Sequence, residues 1–237
     1  MPHRLIYVAR GSCLKDIART MTSHPFLDYV APINCTKCPR LSAYLKQSNT
    51  DNPDWHNAPV PSFGSIDSSI LILGLAPGLR GANRTGRPFT GDFAGDLLYQ
   101  TLLAHQFASG EYHPNGQDTL TLNNVRIANA VRCVPPLNKP IGSEINNCRP
   151  FLSTEIERMH NLKVVLCLGR IAHDTLIRHF QLPAKSYAFS HCKEHRLNNR
   201  LFLLNSYHCS RYNINTSRLT QHMFDNVFIK LKQIIKT

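Results

Sequence analysis

Cys35-Thr-Lys-Cys38 sets two thiols three positions apart, and Cys133 and Cys148 follow far downstream with 14 residues between them. A CxxC pair alone suits a redox dithiol, but no thioredoxin-like βαβ pattern surrounds this one. A compact zinc ribbon would bring its second CxxC within about 15–20 residues, and none is there. One close pair and two dispersed cysteines can enclose an iron–sulfur cube, and they suit zinc about as well. The set therefore points to metal ligation, with the metal open. Cys13, Cys167 and Cys192 share no such spacing and read as small buried or idle thiols.

A second group of residues could meet a flat ligand. The stretch Gly74-Leu-Ala-Pro-Gly78-Leu-Arg-Gly81-Ala-Asn-Arg-Thr-Gly86-Arg87-Pro88, which carries Arg80, Arg84 and Arg87, either lets backbone approach a ligand closely or is a surface loop between strand and helix. It is not a nucleotide loop: Arg87 and Pro88 stand where a phosphate-loop ATPase needs Lys and Ser or Thr, and no GxGxxG occurs. Asp92 in Pro88-Phe89-Thr90-Gly91-Asp92-Phe93 is either a helix N-cap or an acid that positions water. Phe89, set among Pro, Gly and Arg, is either core or a stacking face. Asn129 closes an apolar run, where it either satisfies loose backbone groups or reads a pyrimidine edge with its adjacent donor and acceptor. His208, one of twelve histidines, has no reading of its own from type alone.

Four short apolar runs must position these groups: Ile70–Leu73, Val125–Ala128, Val164–Leu168 and Leu201–Leu204. Runs of this kind fit strands buried on both faces of a parallel sheet. The first leads through the Gly-rich loop to a helix pattern at Phe93, Leu97, Leu98 and Leu102. The third precedes Ala172, Leu176 and Phe180. The last leads to Leu219, Met223, Phe224, Val227, Phe228, Leu231 and Ile235, and each spacing buries one helix face. Alternation of strand and helix predicts a sheet covered on both sides. Each run ends in polar chemistry, and ligands of open α/β sheets sit beyond the carboxyl ends of the strands. The segment from Asp51 to Phe63 reads as an extended connection, and 184–200 as polar and undecided. No repeat or linker divides the chain, so residues 1–237 are expected to form a single domain.

The 237 residues carry 27 Lys plus Arg against 15 Asp plus Glu, a net charge of +12. Acids are scarce rather than bases abundant, and such a surface favours a polyanion, nucleic acid first. No apolar run approaches the ~20 residues of a membrane-spanning helix. The start, MPHRLIYVARGSCLKD, lacks the pattern of a secretory signal. The expectation is a soluble, cytoplasmic protein with no membrane partner.

Taken together, GLAPGLRGANRTGRPFTGD (74–92), NAVRCVPPLNKP (129–140) and SYHCSRYNINTSRLT (206–220), with the four spaced cysteines, resemble the family 5 uracil-DNA glycosylases, the iron–sulfur branch related to family 4. The likeness runs from about Cys35 to Leu219. It implies a three-layer α/β/α sandwich with a central, mostly parallel four-stranded sheet. It implies a monofunctional N-glycosyl hydrolase that removes uracil, and other deaminated or damaged bases, to start base excision repair. By correspondence, Asp92 and His208 are catalytic, and Phe89, Asn129 and Gly78 bind the base. Arg84, Arg87, Ser210, Arg211 and Arg218 meet DNA, with Tyr212 in the same inserting loop. Cys35, Cys38, Cys133 and Cys148 hold one 4Fe–4S cluster. The implied partner is double-stranded or single-stranded DNA, met by a monomer at the nucleoid. Leu75 and Ala76 stand where the wider superfamily has a polar catalytic residue, and Cys209 where it has proline. The competing readings are a non-catalytic iron–sulfur DNA-binding module and a nucleotide-phosphate enzyme.

Overall fold

The computed structural model describes residues 29–236, so the reading of Cys13 lies outside the described residues. Helix α1 (Pro39–Asp51) leads through an irregular stretch to strand β1 (Ile70–Gly74). A short helix α2 (Ala82–Thr85) and helix α3 (Phe93–Ala104) follow. A two-stranded hairpin β2 (Ala108–Ser109) and β3 (Thr121–Leu122) precedes strand β4 (Val125–Asn129). Helix α4 (Gly142–Arg158), strand β5 (Val164–Leu168) and helix α5 (Arg170–His179) come next. The chain ends with strands β6 (Glu194–Arg196) and β7 (Phe202–Ser206), and helices α6 (Arg211–Asn215) and α7 (Gln221–Lys236).

The main sheet has the order β4-β1-β5-β7-β6. Its first four strands are the four apolar runs, paired in parallel. The fifth, β6, pairs antiparallel with β7 at the edge, so the sheet has five strands rather than four. Glu194-His-Arg196 carries no apolar signal because an edge strand is half solvated and held by backbone hydrogen bonds. Strand residues alternate between layers. Ile70, Ile72 and Leu166 pack under Leu98, Leu102, Phe224 and Phe228 of α3 and α7. Leu71, Leu73 and Val165 pack against Leu152 and Leu176 of α4 and α5. Each such side chain contributes about 1.5–3 kcal/mol by leaving water.

A third cluster joins α1 to α4 through Leu41, Leu45, Val134, Ile145 and Phe151, with Cys133 and Cys148 inside it. Beside it lies a buried ion triad. Glu155 of α4 accepts from Arg126 at 2.6 Å and also from Arg132, and it has no exposed surface. Parallel register lines up Gly74 with Asn129 and Leu168 with Ser206, which brings the strand ends to one edge of the sheet. Among the described residues, no helix is long and apolar enough to cross a membrane.

Candidate active site

At that edge opens a cavity of about 550 Å³, walled by Gly78, Phe89, Asp92, Asn129, His208 and Ser210, with Arg211 at its side. Leu75 and Ala76 supply apolar lining. The slot between strand and loop exists because Gly74 has no side chain. A Cβ there would lie 2.6 Å from Phe89 Cζ and would also overlap Asn129 Oδ1. A Cβ on Gly95 of α3 would fall on the Phe89 carbonyl oxygen, so the loop lies directly on the bare helix backbone. Phe89 itself holds a φ of 55°, a left-handed conformation unusual for an aromatic residue, and is 7% exposed. The Tyr99 hydroxyl fixes the turn by donating to the Pro88 carbonyl at 2.7 Å.

Asn129 is 3% exposed at the end of β4, and its side-chain amide makes no hydrogen bond to another described residue. It therefore offers both donor and acceptor to the cavity. The His208 ring stacks on Phe89, 6.0 Å between centroids at 26°. Burial pushes its pKa down to about 4, so the imidazole is neutral at physiological pH. Asn213 Nδ2 donates to the His208 carbonyl at 2.8 Å and fixes the backbone of this loop. Asp92 is the N-cap of α3: its Oδ1 accepts from the Gly95 N–H at 2.9 Å. Its Oδ2 faces Gly78 and Gly81, whose Cβ positions would lie 3.0 and 2.7 Å away. Burial raises its pKa, and the Gly95 and Ala94 backbone donors only partly offset that. The two readings of Asp92 are thus compatible, one oxygen to each.

The predicted DNA contacts fall in different places. Ser210 caps α6 by accepting from the Asn213 N–H, and exposed Arg211 lies 5.3 Å over the Phe93 ring. Arg218 is exposed and lies 4.9 Å over the Tyr207 ring. Arg84 is exposed and donates to the Arg80 carbonyl. Arg87 is the exception. Its guanidinium donates to both oxygens of Asp118, at 2.8 and 2.6 Å, and lies 5.1–5.8 Å from the centroids of Phe63, Tyr99 and Tyr112. A cation held by a carboxylate and enclosed by three rings is a brace for the loop, not a group free for phosphate. Asn138 and Phe93 also wall the cavity; Asn138 was not singled out in the sequence, and Phe93 was read only as part of a helix face. Gly74 lay inside the quoted motif, but only packing reveals that its missing side chain makes the slot.

Cys35, Cys38, Cys133 and Cys148 surround a separate, smaller cavity under the third core cluster. Cys38 precedes α1, Cys148 lies in α4 and Cys133 follows β4, so three segments meet there. The Arg132 N–H donates to Cys148 Sγ at 3.3 Å. Burial, then the other thiols, push Cys133 up to about 12, and burial raises Cys148 too. Burial of this kind disfavours the thiolate, and a cationic centre favours it. Among the described residues, no three His, Cys, Asp or Glu side chains close around a single metal ion; the four sulfurs border a space instead. Cys209 is remote from this set: it is fully buried in the first core cluster, with Sγ 3.4 Å from the Ala94 carbonyl.

The profile of the uracil DNA glycosylase superfamily matches residues 61–232. A Type-5 uracil-DNA glycosylase of Thermus thermophilus is 40% identical over 206 residues, 84% of this chain and 93% of that protein. One of Mycobacterium bovis is 36% identical over 84% of this chain and 78% of its own. One of Pyrobaculum aerophilum is 32% identical over 86% and 92%.

Proposed function

The chain belongs to the uracil DNA glycosylase superfamily and groups with its type-5 members, and on that premise we propose that the cavity at the sheet edge hydrolyses the N-glycosidic bond of uracil in DNA. The observation that carries this reading is the meeting of an aromatic face, an unengaged amide, a buried carboxylate and a neutral imidazole in one cavity. The target nucleotide leaves the duplex, which costs least at a mismatch such as uracil opposite guanine. The extruded base stacks on Phe89, and the Asn129 amide bonds its Watson–Crick edge. Gly78 lets backbone lie close to it.

As the C1′–N1 bond breaks, its electron pair leaves with the base and the sugar becomes oxocarbenium-like. The neutral His208 ring donates an N–H to the base oxygen where negative charge gathers. A neutral donor keeps its proton while stabilising the anion, so the base leaves as an anion and takes a proton later from solvent. Asp92 Oδ2, ionised, favours the cationic sugar. It orients a water whose oxygen bonds C1′ and whose proton passes to the carboxylate. Arg84, Arg211 and Arg218 meet phosphates, and Ser210 lies in the loop that presses on the DNA.

Cys35, Cys38, Cys133 and Cys148 suit one 4Fe–4S cluster, since four thiols from three segments line one small cavity with no His, Asp or Glu among the described residues of its walls. When bound, the cluster supplies a covalent cross-link between three distant segments. The enzyme acts as a single domain and a monomer on double-stranded and single-stranded DNA at the nucleoid, and its further substrates are hypoxanthine, 5-hydroxymethyluracil and ethenocytosine. An oligonucleotide bearing one uracil, incubated with the protein and then treated with alkali, should break at that position. An intact strand at enzyme excess would remove the glycosylase reading.

A further inference from the structure

Leu137 is the most exposed large apolar side chain among the described residues, at 85%. It also has a φ of 55°, and Asn138 after it has 56°. A branched apolar side chain in the left-handed region loses conformational energy, and at this exposure it gains nothing from burial. Backbone outliers of this kind persist where surrounding structure enforces them, and they gather at functional sites.

The enforcement here is specific. The turn is closed by Asn138 N–H to the Pro135 carbonyl and Lys139 N–H to the Pro136 carbonyl, both 3.1 Å. Prolines at 135, 136 and 140 stiffen it. Upstream it is rooted in the buried segment of Cys133 and Val134. Downstream Arg40 donates to the Lys139 carbonyl at 3.1 Å while holding Glu144 of α4. The turn is therefore rigid, and Asn138, next to Leu137, lines the active-site cavity. Tyr212, 72% exposed, follows Arg211 in α6, at another side of the same cavity.

We infer that Leu137 inserts into the DNA base stack beside the cavity, as a contact separate from the start of α6 at Ser210, Arg211 and Tyr212. This rests on the glycosylase reading, which supplies the duplex that must be opened. An apolar side chain pushed between base steps unstacks them and occupies the gap an extruded nucleotide leaves. A rigid turn suits that task, because little conformational freedom remains to be lost on binding. Exposed Lys139 beside it brings positive charge to the flanking backbone. Single strands have no stack of paired bases to part, so the contribution of Leu137 is confined to duplex.

The test compares the wild-type chain with Leu137→Ala and Leu137→Met on one sequence in two forms, single-stranded and as a duplex with uracil opposite guanine. With enzyme in excess, Leu137→Ala should slow uracil release from duplex by about tenfold or more and leave the single-strand rate unchanged, while Leu137→Met keeps both. A duplex carrying 2-aminopurine next to the uracil reports insertion without cleavage: its fluorescence should rise with the wild type and not with Leu137→Ala. Equal losses on both forms, or an unchanged duplex rate with unchanged fluorescence, overturn the inference. A wild type that releases uracil from neither form removes the glycosylase reading instead. The fluorescence arm then still decides insertion: a rise that needs Leu137 supports it, and its absence overturns it.

Discussion

The carboxylate of Asp92 divides its oxygens between the Gly95 N–H and the cavity, so a substitution can separate cap from chemistry. Asp92→Asn keeps the capping oxygen and removes the base. It should retain the thermal midpoint and lower the single-turnover rate of uracil release by ~100-fold or more. An unchanged rate would leave Asp92 as a cap alone. His208 calls for a pH experiment. Its pKa is held near 4 by burial, below the ordinary imidazole value of about 6.5. The folded protein thus binds that proton less readily than the unfolded chain, and stability drawn from this group is lost as pH falls below about 6.5. The rate should fall on the acid side with an inflection above the usual carboxylate range, because burial raises Asp92, and it should show none near 6.5. An inflection near 6.5 that His208→Ala abolishes would show a cationic imidazole at work.

At the scale of elements, the loop between β1 and α3 is shaped by what presses on it from two sides. Gly74 lets the Phe89 ring and the Asn129 amide meet over bare backbone. Gly74→Ala should leave the protein folded yet slow uracil release by ~100-fold, since displacing a reactant by about an ångström costs that much; a wild-type rate would mean the slot is not where the base sits. Arg87 was legible in the sequence as a cation in a Gly-rich loop, and its type suggested phosphate. Its partner, Asp118, is 31 positions away, and nothing local announces it. The Arg87 hydrogen bonds hold the Asp118 pKa down to about 2. Stability from this pair is therefore full above the normal carboxylate range and lost as pH falls toward 2. Asp118→Asn leaves a desolvated guanidinium without its counter-charge and should cost about 3 kcal/mol in urea unfolding at neutral pH. A change near zero would make the clamp ornamental. Helix α4 escaped the periodicity reading because it is polar over much of its length and carries Pro150.

Across the whole molecule, the cysteine cavity joins segments far apart in the chain. Anaerobically purified protein should carry about four irons per chain with a visible thiolate-to-iron absorbance. Cys148→Ser should lower the iron content and the thermal midpoint together, because a ligand set that exists only in the folded state links binding to folding. Stoichiometric zinc in colourless protein would contradict the cluster. The net charge of +12 acts at the same scale. On the proposed function it attracts the phosphate backbone of DNA whatever the sequence, and discrimination is assigned to the cavity.

The four parallel strands were legible in the chain, because each is a short apolar run of strand length that suits burial on both faces. The helix faces of α3, α5 and α7 were legible too, the 3.6-residue period being a local property. The sequence supplied the residue types of the cavity, since a strand's carboxyl end is where polar chemistry can follow an apolar run. Which of those residues meet, and in what state, was settled by packing. The polar edge strand β6 forms because β7 offers it backbone partners. Arg87 turns from a presumed phosphate contact into a brace because Asp118 and three rings reach it first. His208 is neutral, and Asp92 keeps one oxygen for the cavity, because burial and a helix end act on them across space. Pairing and protonation depend on neighbours and on access of water, and a chain acquires both only when distant segments pack.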